Sequence, residues 1–374
     1  MNIIFLSRYD VSDINNWSGT LFHIYHQLKK RHNVEVVGTE LLNQLTAFRK
    51  GNFQNDFFVD SCRYVKKIGS LLSERINLLD YDLLFFGDLL LHPCNINIPF
   101  VHFSDMTYDQ VNMHLKKSDE RNVESAIHQE KFILDNTFRI IYSSEWIKSK
   151  AIEVYNINPD KIDVVELGAN IPTPTNYTVD IGMDVCRLVF IGRDWEKKGG
   201  DKVLQAYRIL SAGGFPCSLT IIGSEPKEYL EADENITIIP FLDKTKPEHL
   251  KILCSILSVS HFLVLPTEFD AYGIVFCEAS AYAVPSIAAN VGGVSQPVRE
   301  GKNGFLLSAD ATALEYAEKI RTVFQDRENY IRLRTSSRHE FETRLNWDVW
   351  SERVNKILED TVKEWKEHKN QSNK

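Results

Sequence analysis

Several features that define whole classes of protein are missing from this 374-residue sequence. No stretch approaches about 18 uninterrupted apolar residues, so we expect no membrane-spanning helix. The opening run, MNIIFLSRYD, is too short in apolar residues to serve as a signal peptide. Internal repeats, low-complexity tracts and a dinucleotide-type glycine signature are also absent.

Cysteines are few, and acidic residues outnumber basic ones. The six cysteines include no C-x-x-C pair, which favours free thiols in a reducing cytoplasm over disulfides or zinc ligands. A formal net charge of −8 argues against a general nucleic-acid-binding surface. Any anionic ligand must therefore be held by a local cluster of basic residues.

The composition and length of the chain fit a soluble protein of two domains. Hydrophobic residues make up 43% of the chain and charged residues 25%, an ordinary soluble balance. A chain of this length is sufficient for two hydrophobic cores.

Short apolar runs alternate with helical patterns along the chain, which predicts parallel, doubly wound α/β sheets. In the first half the predicted strands are 3–6, 34–37, 83–86, 100–103, 140–142 and 164–167. In the second half they are 188–191, 219–222, 236–239, 262–265, 286–289 and 304–307. The second half also has predicted helices at 200–212, 247–258, 274–283 and 311–324. Two such domains place the carboxyl ends of their strands, where ligands bind, toward one cleft.

A proline-rich stretch separates the two halves. Residues 171–178, Ile-Pro-Thr-Pro-Thr-Asn-Tyr-Thr, have no apolar periodicity, and proline blocks helix continuation. We therefore predict a first domain at 1–172, a linker at 173–180 and a second domain at 181–345. The remainder, 346–374, is predicted to be a helix crossing back, with an apolar stripe that packs on the body.

The segment FIGRDWEKKGGD, residues 190–201, combines a strand end, a glycine turn and a helix start. Backbone N–H groups and the helix dipole make such a turn an anion site. The guanidinium group of Arg193 can donate two hydrogen bonds to phosphate oxygens, and the ammonium group of Lys198 adds a positive charge. The alternative is a solvated turn whose lysines bind nothing specific.

The segment PTEFDAYGIVFCEASAYAVP, residues 266–285, follows another predicted strand end. Gly273 lies where the next helix begins, so free N–H groups can face an anion or a sugar hydroxyl. Glu278 lies about a turn and a half into that helix, and its carboxylate can accept hydrogen bonds from a vicinal diol such as a ribose. The alternative is an exposed helix residue, which the apolar neighbours of Glu278 argue against.

Together these segments resemble glycosyltransferase family 4. The family's E-x7-E motif stands here as Asp270-Ala-Tyr-Gly-Ile-Val-Phe-Cys-Glu278, and its diphosphate-binding turn as Gly192-Arg193-x4-Lys198-Gly199. Further likenesses are Gly292-Gly293, Glu300-Gly301-x-Asn303-Gly304 and Glu166-Leu-Gly-Ala-Asn170. The resemblance covers nearly all of the chain and is more specific in the second domain than in the first.

The resemblance implies a GT-B fold, in which two Rossmann-like domains face each other across a cleft and a C-terminal helix packs back toward the first domain. It also implies a retaining, metal-independent transfer of a sugar from a nucleoside-diphosphate sugar, with no further cofactor. Arg193 and Lys198 would hold the diphosphate, Glu278 the ribose, and Asp270 the transferred sugar. Donor contacts are also implied for Gly192, Tyr272, Gly273, Ile274 and Val275.

Two positions depart from the family's pattern. Asp270 is one methylene shorter than the usual glutamate, so its reach to the sugar is open, and Glu268 is a substitute that the spacing does not favour. Gln296 stands where the family often has glutamate.

Resemblance in the first domain concerns two loops. Ser18, Gly19 and Thr20 resemble the family's glycine-rich loop, although a plain helix cap explains them too. Ser104 occupies the position of a histidine found in many relatives, and Asp105 matches the aspartate after it. His102 lies two residues deeper in the same predicted strand, and a satisfied core histidine is its simplest interpretation.

Two other features of the first domain suggest contacts but have simpler explanations. Asp80-Tyr81-Asp82 has the D-x-D spacing of metal-dependent glycosyltransferases, but we interpret it as a loop leading into a buried strand, with no metal. Basic and aromatic residues at 49–75 fit a peripheral membrane contact or a lipid-linked acceptor. A solvated face around core aromatics is the simpler interpretation.

The sequence thus predicts a cytoplasmic glycosyltransferase, working at the inner face of the membrane if its acceptor is lipid-linked. Its partners would be a nucleotide-sugar donor and a carbohydrate, lipid-linked or small-molecule acceptor, with no nucleic acid. The alternatives are a same-fold nucleotide-sugar epimerase or phosphorylase, and a non-catalytic partner subunit. The pattern defines neither the base, the sugar, the acceptor nor the oligomeric state.

Overall fold

Contacts group the chain into two units. A computed structural model describes residues 1–7, 9–38, 80–86, 97–115, 120–226 and 233–372. One unit comprises Met1–Val165 together with Ser351–Lys374, and the other comprises Glu166–Trp350. The boundaries predicted near residues 172, 181 and 346 stay predictions.

The first unit contains a parallel sheet of buried apolar strands. Its described strands are β1 (Asn2–Leu6), β2 (Asn33–Val37), β3 (Leu83–Phe86), β4 (Phe100–Ser104), β5 (Arg139–Tyr142) and β6 (Ile162–Val164). They lie in the order β2-β1-β3-β4-β5-β6, and every pair is parallel. Helices cover both faces of such sheets, which explains why the central strands are apolar throughout rather than alternating.

The second unit repeats this architecture. Its strands are β7 (Cys186–Ile191), β8 (Cys217–Ile222), β9 (Ile236–Ile239), β10 (Phe262–Leu265), β11 (Ser286–Ala289) and β12 (Gly304–Leu307). They lie in the order β9-β8-β7-β10-β11-β12, again all parallel. The order reverses direction between β7 and β10. Ligands bind outside the carboxyl ends of strands at such a switch point.

Helices connect most of these strands. In the first unit they are α1 (Thr20–Lys29), α2 (Tyr108–Leu115), α3 (Glu120–Asn136) and α4 (Glu145–Tyr155). In the second unit they are α5 (Gly200–Ala212), α6 (Pro247–Val259), α7 (Ile274–Ala281), α8 (Ala313–Gln325) and α9 (Arg327–Thr343). The last helix, α10 (Trp347–Ser372), starts in the second unit and continues into the first. Short 3₁₀ turns occupy Asn16–Gly19 and Pro159–Lys161.

The structure corrects the predicted strand at 164–167. Strand β6 runs from Ile162 to Val164, and the N–H of Val165 adds one last bond to the carbonyl of Tyr142 at 2.9 Å. The neighbouring strand β5 ends at Tyr142, so no ladder remains for the following residues to join.

The predicted helix at 274–283 ends two residues early. Ala283 adopts a left-handed conformation with φ of 57°, and the N–H of Val284 bonds back to the carbonyl of Ala279 at 2.9 Å. This arrangement is a common helix stop, and the proline at position 285 cannot continue a helix.

The helix predicted at 346–374 corresponds to α10, which is separated from α9 by a short break. Arg344 leaves the helical conformation, with φ of −152°, and Asn346 caps the next helix by accepting from the N–H of Val349 at 2.9 Å. In the first unit, Glu364 of α10 forms an ion pair with Arg139 at 2.6 Å, and Trp365 packs edge-on against Phe138. The predicted packing of the C-terminal helix on the first unit is therefore confirmed.

The proline-rich stretch has no regular structure, as predicted, but it is bound to the second unit. Arg338 donates to the carbonyl of Pro174 at 3.3 Å and stacks on Tyr177, and Arg334 donates to the carbonyl of Thr178 at 3.2 Å. Two buried arginines of α9 therefore hold this segment in place.

The described residues also bear on membrane insertion and cysteine pairing. None of the helices described has both the length and the apolar run needed to cross a membrane. Cys186, Cys217, Cys254 and Cys277 are free thiols, as predicted.

Candidate functional site

The turn after β7 carries the predicted anion-binding cations. The N–H of Lys198 bonds the carbonyl of Asp194 at 2.9 Å, and the carboxylate of Asp194 accepts from the N–H of Lys197 at 3.1 Å. This second bond is the main reason why the pKa of Asp194 is lowered. The turn is thus fixed by its own hydrogen bonds before any ligand arrives.

Trp195 attaches this turn to the helix that follows it. Its indole N–H donates to the carboxylate of Asp201 at 2.6 Å, and its ring packs edge-on against Phe190. Because Asp201 lies in the first turn of α5, the tryptophan fixes the turn relative to the start of that helix.

The same turn is fastened to the segment after β10. The carbonyl of Lys197 accepts from the N–H of Glu268 at 2.8 Å and from the hydroxyl of Thr267 at 3.1 Å. Gly199 adopts φ of 73°, and a Cβ there would lie 2.2 Å from the carbonyl oxygen of Pro266. Only glycine combines this conformation with so close an approach. The two strand ends at the switch point therefore form one surface.

Lys198 and Asp270 meet on this surface. The ammonium nitrogen of Lys198 lies 2.6 Å from a carboxylate oxygen of Asp270, and both side chains are partly exposed. The shorter aspartate therefore reaches the predicted diphosphate cation directly. Glu268, the alternative carboxylate, has an exposed side chain.

Helix α7 begins beside this pair. Its cap, Gly273, adopts φ of 88°, and Ile274 and Val275 start the helix, where N–H groups have no acceptor one turn earlier. The helix start is thus a local source of positive potential, as predicted.

Tyr272 requires a correction. Its side chain is 2% exposed, and its hydroxyl accepts from the N–H of Leu167 at 3.0 Å. Burial raises the pKa of this phenol well above its usual value. The side chain therefore fixes the loop from inside, and only the backbone of Tyr272 can face a ligand.

Glu278 is buried, with 2% of its surface exposed, so the alternative of an exposed helix residue is wrong. Its neighbours from Phe276 to Ala281 are all buried too. The carboxylate accepts a hydrogen bond from the ammonium group of Lys244, which lies in the loop after β9. A buried charge requires such a partner.

Arg193 is exposed and stacks on Phe241, with its guanidinium carbon 4.1 Å from the ring centre. Phe241 belongs to the same loop as Lys244. A guanidinium over an aromatic face is held by a cation–π interaction while its N–H edges stay available.

Sequence reasoning missed Phe241 and Lys244. The one available signal was their place directly after the strand at 236–239, at the carboxyl edge of the predicted sheet. A lysine in a loop is usually solvated, so this signal could not separate Lys244 from Lys246 two residues later.

Gln296, which departs from the family's pattern, belongs to a buried network. Its amide donates to the carboxylate of Glu166 at 2.9 Å, and the same carboxylate accepts from Arg344 at 2.8 Å and Arg299 at 3.2 Å. A glutamate at position 296 would lose this donor and face a second carboxylate. The network supports the second unit from outside the site.

In the first unit, the turn before α1 is left-handed over three residues. Trp17, Ser18 and Gly19 have φ of 51°, 55° and 95°. Such conformations cost on the order of 1 kcal/mol or more at residues other than glycine. The ring of Trp17 packs edge-on against Phe103 of β4, which places Ser18, Gly19 and Thr20 beside the end of that strand. The predicted resemblance to a small-residue loop thus corresponds to an unusual turn rather than to a plain helix cap.

Ser104 lies at the end of β4, next to Asp105. Its hydroxyl donates to the carbonyl of Met106 at 2.6 Å and accepts from the N–H of the same residue at 3.2 Å. This hydroxyl therefore takes part in a local turn and keeps one lone pair that could accept from a ligand, so a substrate contact at Ser104 stays a prediction.

His102 is buried, as predicted, and burial lowers its pKa to about 4. The prediction of a core histidine is thus confirmed, and within the described part of the chain its Nδ1 has no hydrogen-bond partner. The ring packs edge-on against Tyr142.

Asp80, Tyr81 and Asp82 lead into β3, as predicted. The carboxylate of Asp82 accepts from the N–H of Asn2 at 2.9 Å, and the hydroxyl of Tyr81 donates to Glu35. That bond is the main reason why the pKa of Tyr81 is raised to about 12. Among the residues described, no group of three or more potential metal ligands occurs. The segment 49–75 lies outside the described residues.

Comparison with known proteins supports the resemblance read from the motifs. Residues 181–340 match the family described as glycosyl transferases group 1. The chain is similar to a D-inositol 3-phosphate glycosyltransferase of Corynebacterium kroppenstedtii, with 23% identity over 288 residues that cover 71% of this chain. It spans 63% of that relative's length and between 50% and 60% of several others of the same description.

Solved structures are similar over almost the whole chain. A glycosyltransferase from Rickettsia africae ESF-5 gives a TM-score of 0.68 at 16% identity, covering 97% of this chain and 98% of that one. HepE of Anabaena, in complex with UDP-glucose, gives 0.65 at 13% identity, covering 96% and 100%. With the two parallel sheets, these likenesses confirm the predicted two-domain, Rossmann-like GT-B fold.

Proposed function

We propose that this protein transfers a sugar from a nucleoside-diphosphate sugar to a carbohydrate, lipid-linked or small-molecule acceptor, with retention of anomeric configuration and without a metal ion. One observation carries the proposal. At the switch point of the second sheet, Lys198, Asp270 and the start of α7 lie together on one surface, and Glu278 is buried further along the same helix.

The donor would lie along this surface. Arg193 and Lys198 bind the diphosphate, with the N–H groups of Ile274 and Val275 as further donors. Glu278 accepts hydrogen bonds from the ribose, and Asp270 contacts the transferred sugar. Lys198 then exchanges its contact with Asp270 for the phosphate, which leaves the carboxylate available to sugar hydroxyls.

The chemistry follows from these placements. As the bond between the anomeric carbon and the phosphate oxygen breaks, negative charge grows on that oxygen. Arg193, Lys198 and the start of α7 stabilise this charge, which is the kind of preorganised electrostatic effect that usually contributes most to catalysis. The acceptor oxygen forms the new bond on the same face and passes its proton to the leaving phosphate. The nucleoside diphosphate leaves with that proton, and no general base is required.

Acceptor contacts would come from the first unit. The left-handed turn at Trp17–Gly19 exposes Ser18, and Asp105 directly follows strand β4. The hydroxyl of Ser18 and the carboxylate of Asp105 can both form hydrogen bonds with sugar hydroxyls.

A nucleotide-sugar screen tests this function. We expect a UDP- or GDP-sugar to raise the melting temperature, and the purified chain to release nucleoside diphosphate from that donor when a glycan acceptor mixture is added. Activity should persist in EDTA, and NMR of the product should show the anomeric configuration of the donor. An inverted product, or activity lost in EDTA and restored by Mg²⁺ or Mn²⁺, would contradict the mechanism. Epimerised donor with no product would favour the epimerase alternative.

A further inference from the structure

The ion pair between Lys244 and Glu278 joins two elements of the second unit. Glu278 lies on α7, and Lys244 lies in the loop between β9 and α6. The side chain of Glu278 is 3% exposed and that of Lys244 is 20% exposed. The pair is therefore largely removed from water, with the lysine on its outer side.

Such a pair has a defined electrostatic role. A carboxylate buried in an apolar helix costs several kcal/mol unless a cation and hydrogen bonds compensate it. Among the described residues, Lys244 is the hydrogen-bond partner of Glu278. Without it, the carboxylate would have no hydrogen bond among the described residues to fix its orientation.

The loop that carries Lys244 is itself fixed. The carboxylate of Asp243 accepts from the N–H and the hydroxyl of Thr245, at 2.9 and 2.7 Å, and its own N–H donates to Nδ1 of His249 at 3.0 Å. The stacking of Arg193 on Phe241 holds the other end of the loop. The backbone that carries Lys244 is thus held in place. This limits the positions that its ammonium group, and with it the Glu278 carboxylate, can take.

We propose that Lys244 is a positioning residue for the nucleoside part of the donor. Through their ion pair it orients the carboxylate of Glu278, so that the remaining lone pairs accept hydrogen bonds from the vicinal hydroxyls of a ribose. Lys244 acts through Glu278 and does not contact the nucleotide. This inference rests on the proposed function, because it takes a nucleoside diphosphate as the ligand.

A distinctive consequence is selectivity for ribose over 2′-deoxyribose. Loss of Lys244 should weaken only the contact that Glu278 makes with the diol. A lysine that contacted phosphate would instead contribute equally to ribonucleotides and deoxyribonucleotides.

Calorimetry with the full chain tests this. The probes are UDP, GDP, ADP and CDP, each compared with its 2′-deoxy counterpart. For the base that binds, we expect the wild-type chain to prefer the ribonucleotide about tenfold, the contribution of one hydrogen bond to a charged group. Lys244→Met should bind the ribonucleotide about tenfold more weakly and the deoxynucleotide unchanged. Lys244→Arg, which keeps the charge, should retain the preference.

Lys246→Met is the matched control, because this exposed lysine lies in the same loop, and it should behave as wild type. If Lys244→Met does not fold, Lys244→Gln takes its place under the same criteria. The positioning role alone would be overturned if the uncharged Lys244 variant kept the wild-type preference for the ribonucleotide. It would also be overturned if that variant lost affinity equally for the ribonucleotide and the deoxynucleotide. A wild-type chain that binds none of UDP, GDP, ADP and CDP would overturn the proposed function, and this inference with it.

Discussion

The two units place different chemistry at equivalent ends of their parallel sheets. In the second unit the carboxyl edge carries Lys198 paired with Asp270, and Lys244 paired with Glu278. In the first unit the described part of this edge carries a left-handed turn of small and aromatic residues, with Ser18 exposed. The same architecture thus carries pairs of cations and carboxylates in one unit and a left-handed turn of small and aromatic residues in the other.

Buried carboxylates show the same contrast. Glu278 and Glu166 of the second unit are paired with cations. Glu130 of the first unit is instead bonded by the N–H of Tyr108 at 2.8 Å and by the hydroxyl of Tyr155, and burial raises its pKa to about 7. These two buried carboxyls of the second unit thus have cationic partners, whereas Glu130 is bonded by neutral donors.

The largest effect is expected when the two cations that face the diphosphate are removed. Arg193→Ala with Lys198→Ala should lower kcat by at least about a hundredfold, because the charge on the leaving phosphate loses its stabilisation. Initial rates with saturating donor measure this. A double variant of exposed residues on α6 and α9, Lys251→Ala with Arg332→Ala, should keep the wild-type rate. A wild-type rate in the site variant would reject the leaving-group role.

The next effect concerns the junction between the two strand ends of the second unit. Gly199→Ala should destabilise the protein by about 3 kcal/mol, since it adds left-handed strain and a clash with the carbonyl of Pro266. Gly214→Ala is the matched control, because φ there is 69° but the new methyl meets nothing within 4 Å. It should cost only about 1 kcal/mol. Equal midpoints in urea unfolding for the two variants would show that the close approach of Gly199 to the carbonyl of Pro266 does not contribute to stability.

The free energy of unfolding should depend on pH through a buried carboxyl of the first unit. The folded pKa of Glu130, about 7, lies above its ordinary value of 4.5, so the folded state favours the protonated form. This contribution to stability is complete below about pH 4.5 and is lost as the pH rises through 7, to a total of about 3 kcal/mol.

Glu130→Gln should therefore lose less stability than wild type between pH 4.5 and 8.5, as measured by urea unfolding. Glu153→Gln, at an exposed position of α4, should follow the wild-type curve. If both variants followed that curve, the burial of Glu130 would not be the cause of the alkaline loss.

The smallest expected effect is on donor affinity. Glu278→Ala should weaken nucleoside diphosphate binding by about tenfold, because the ribose loses a charged acceptor. Calorimetry measures it, with Glu318→Ala on the exposed face of α8 as the control. Unchanged affinity in Glu278→Ala would reject the ribose contact.

Much of the fold could be predicted because the apolar runs are strong and regular. Eleven of the twelve predicted strands correspond closely to observed strands, and the exception at 164–167 failed where the neighbouring strand ends. The predicted charged site also came together in the second unit, since strand ends and glycine turns fix its position. Predictions for single side chains were less successful. Tyr272 turned inward, because its hydroxyl has a backbone partner that no pattern reveals.

By itself the sequence determined the strands of the two parallel sheets and the cations that follow a strand end, because hydrophobic periodicity and glycine turns act over short stretches of chain. Only the tertiary structure decided which charges meet. Lys198 and Asp270 are 72 residues apart, and Lys244 and Glu278 are 34 apart. The spacing of these residues along the chain does not predict the pairs. The packing of helices and loops around the sheet brings the charged side chains within contact distance.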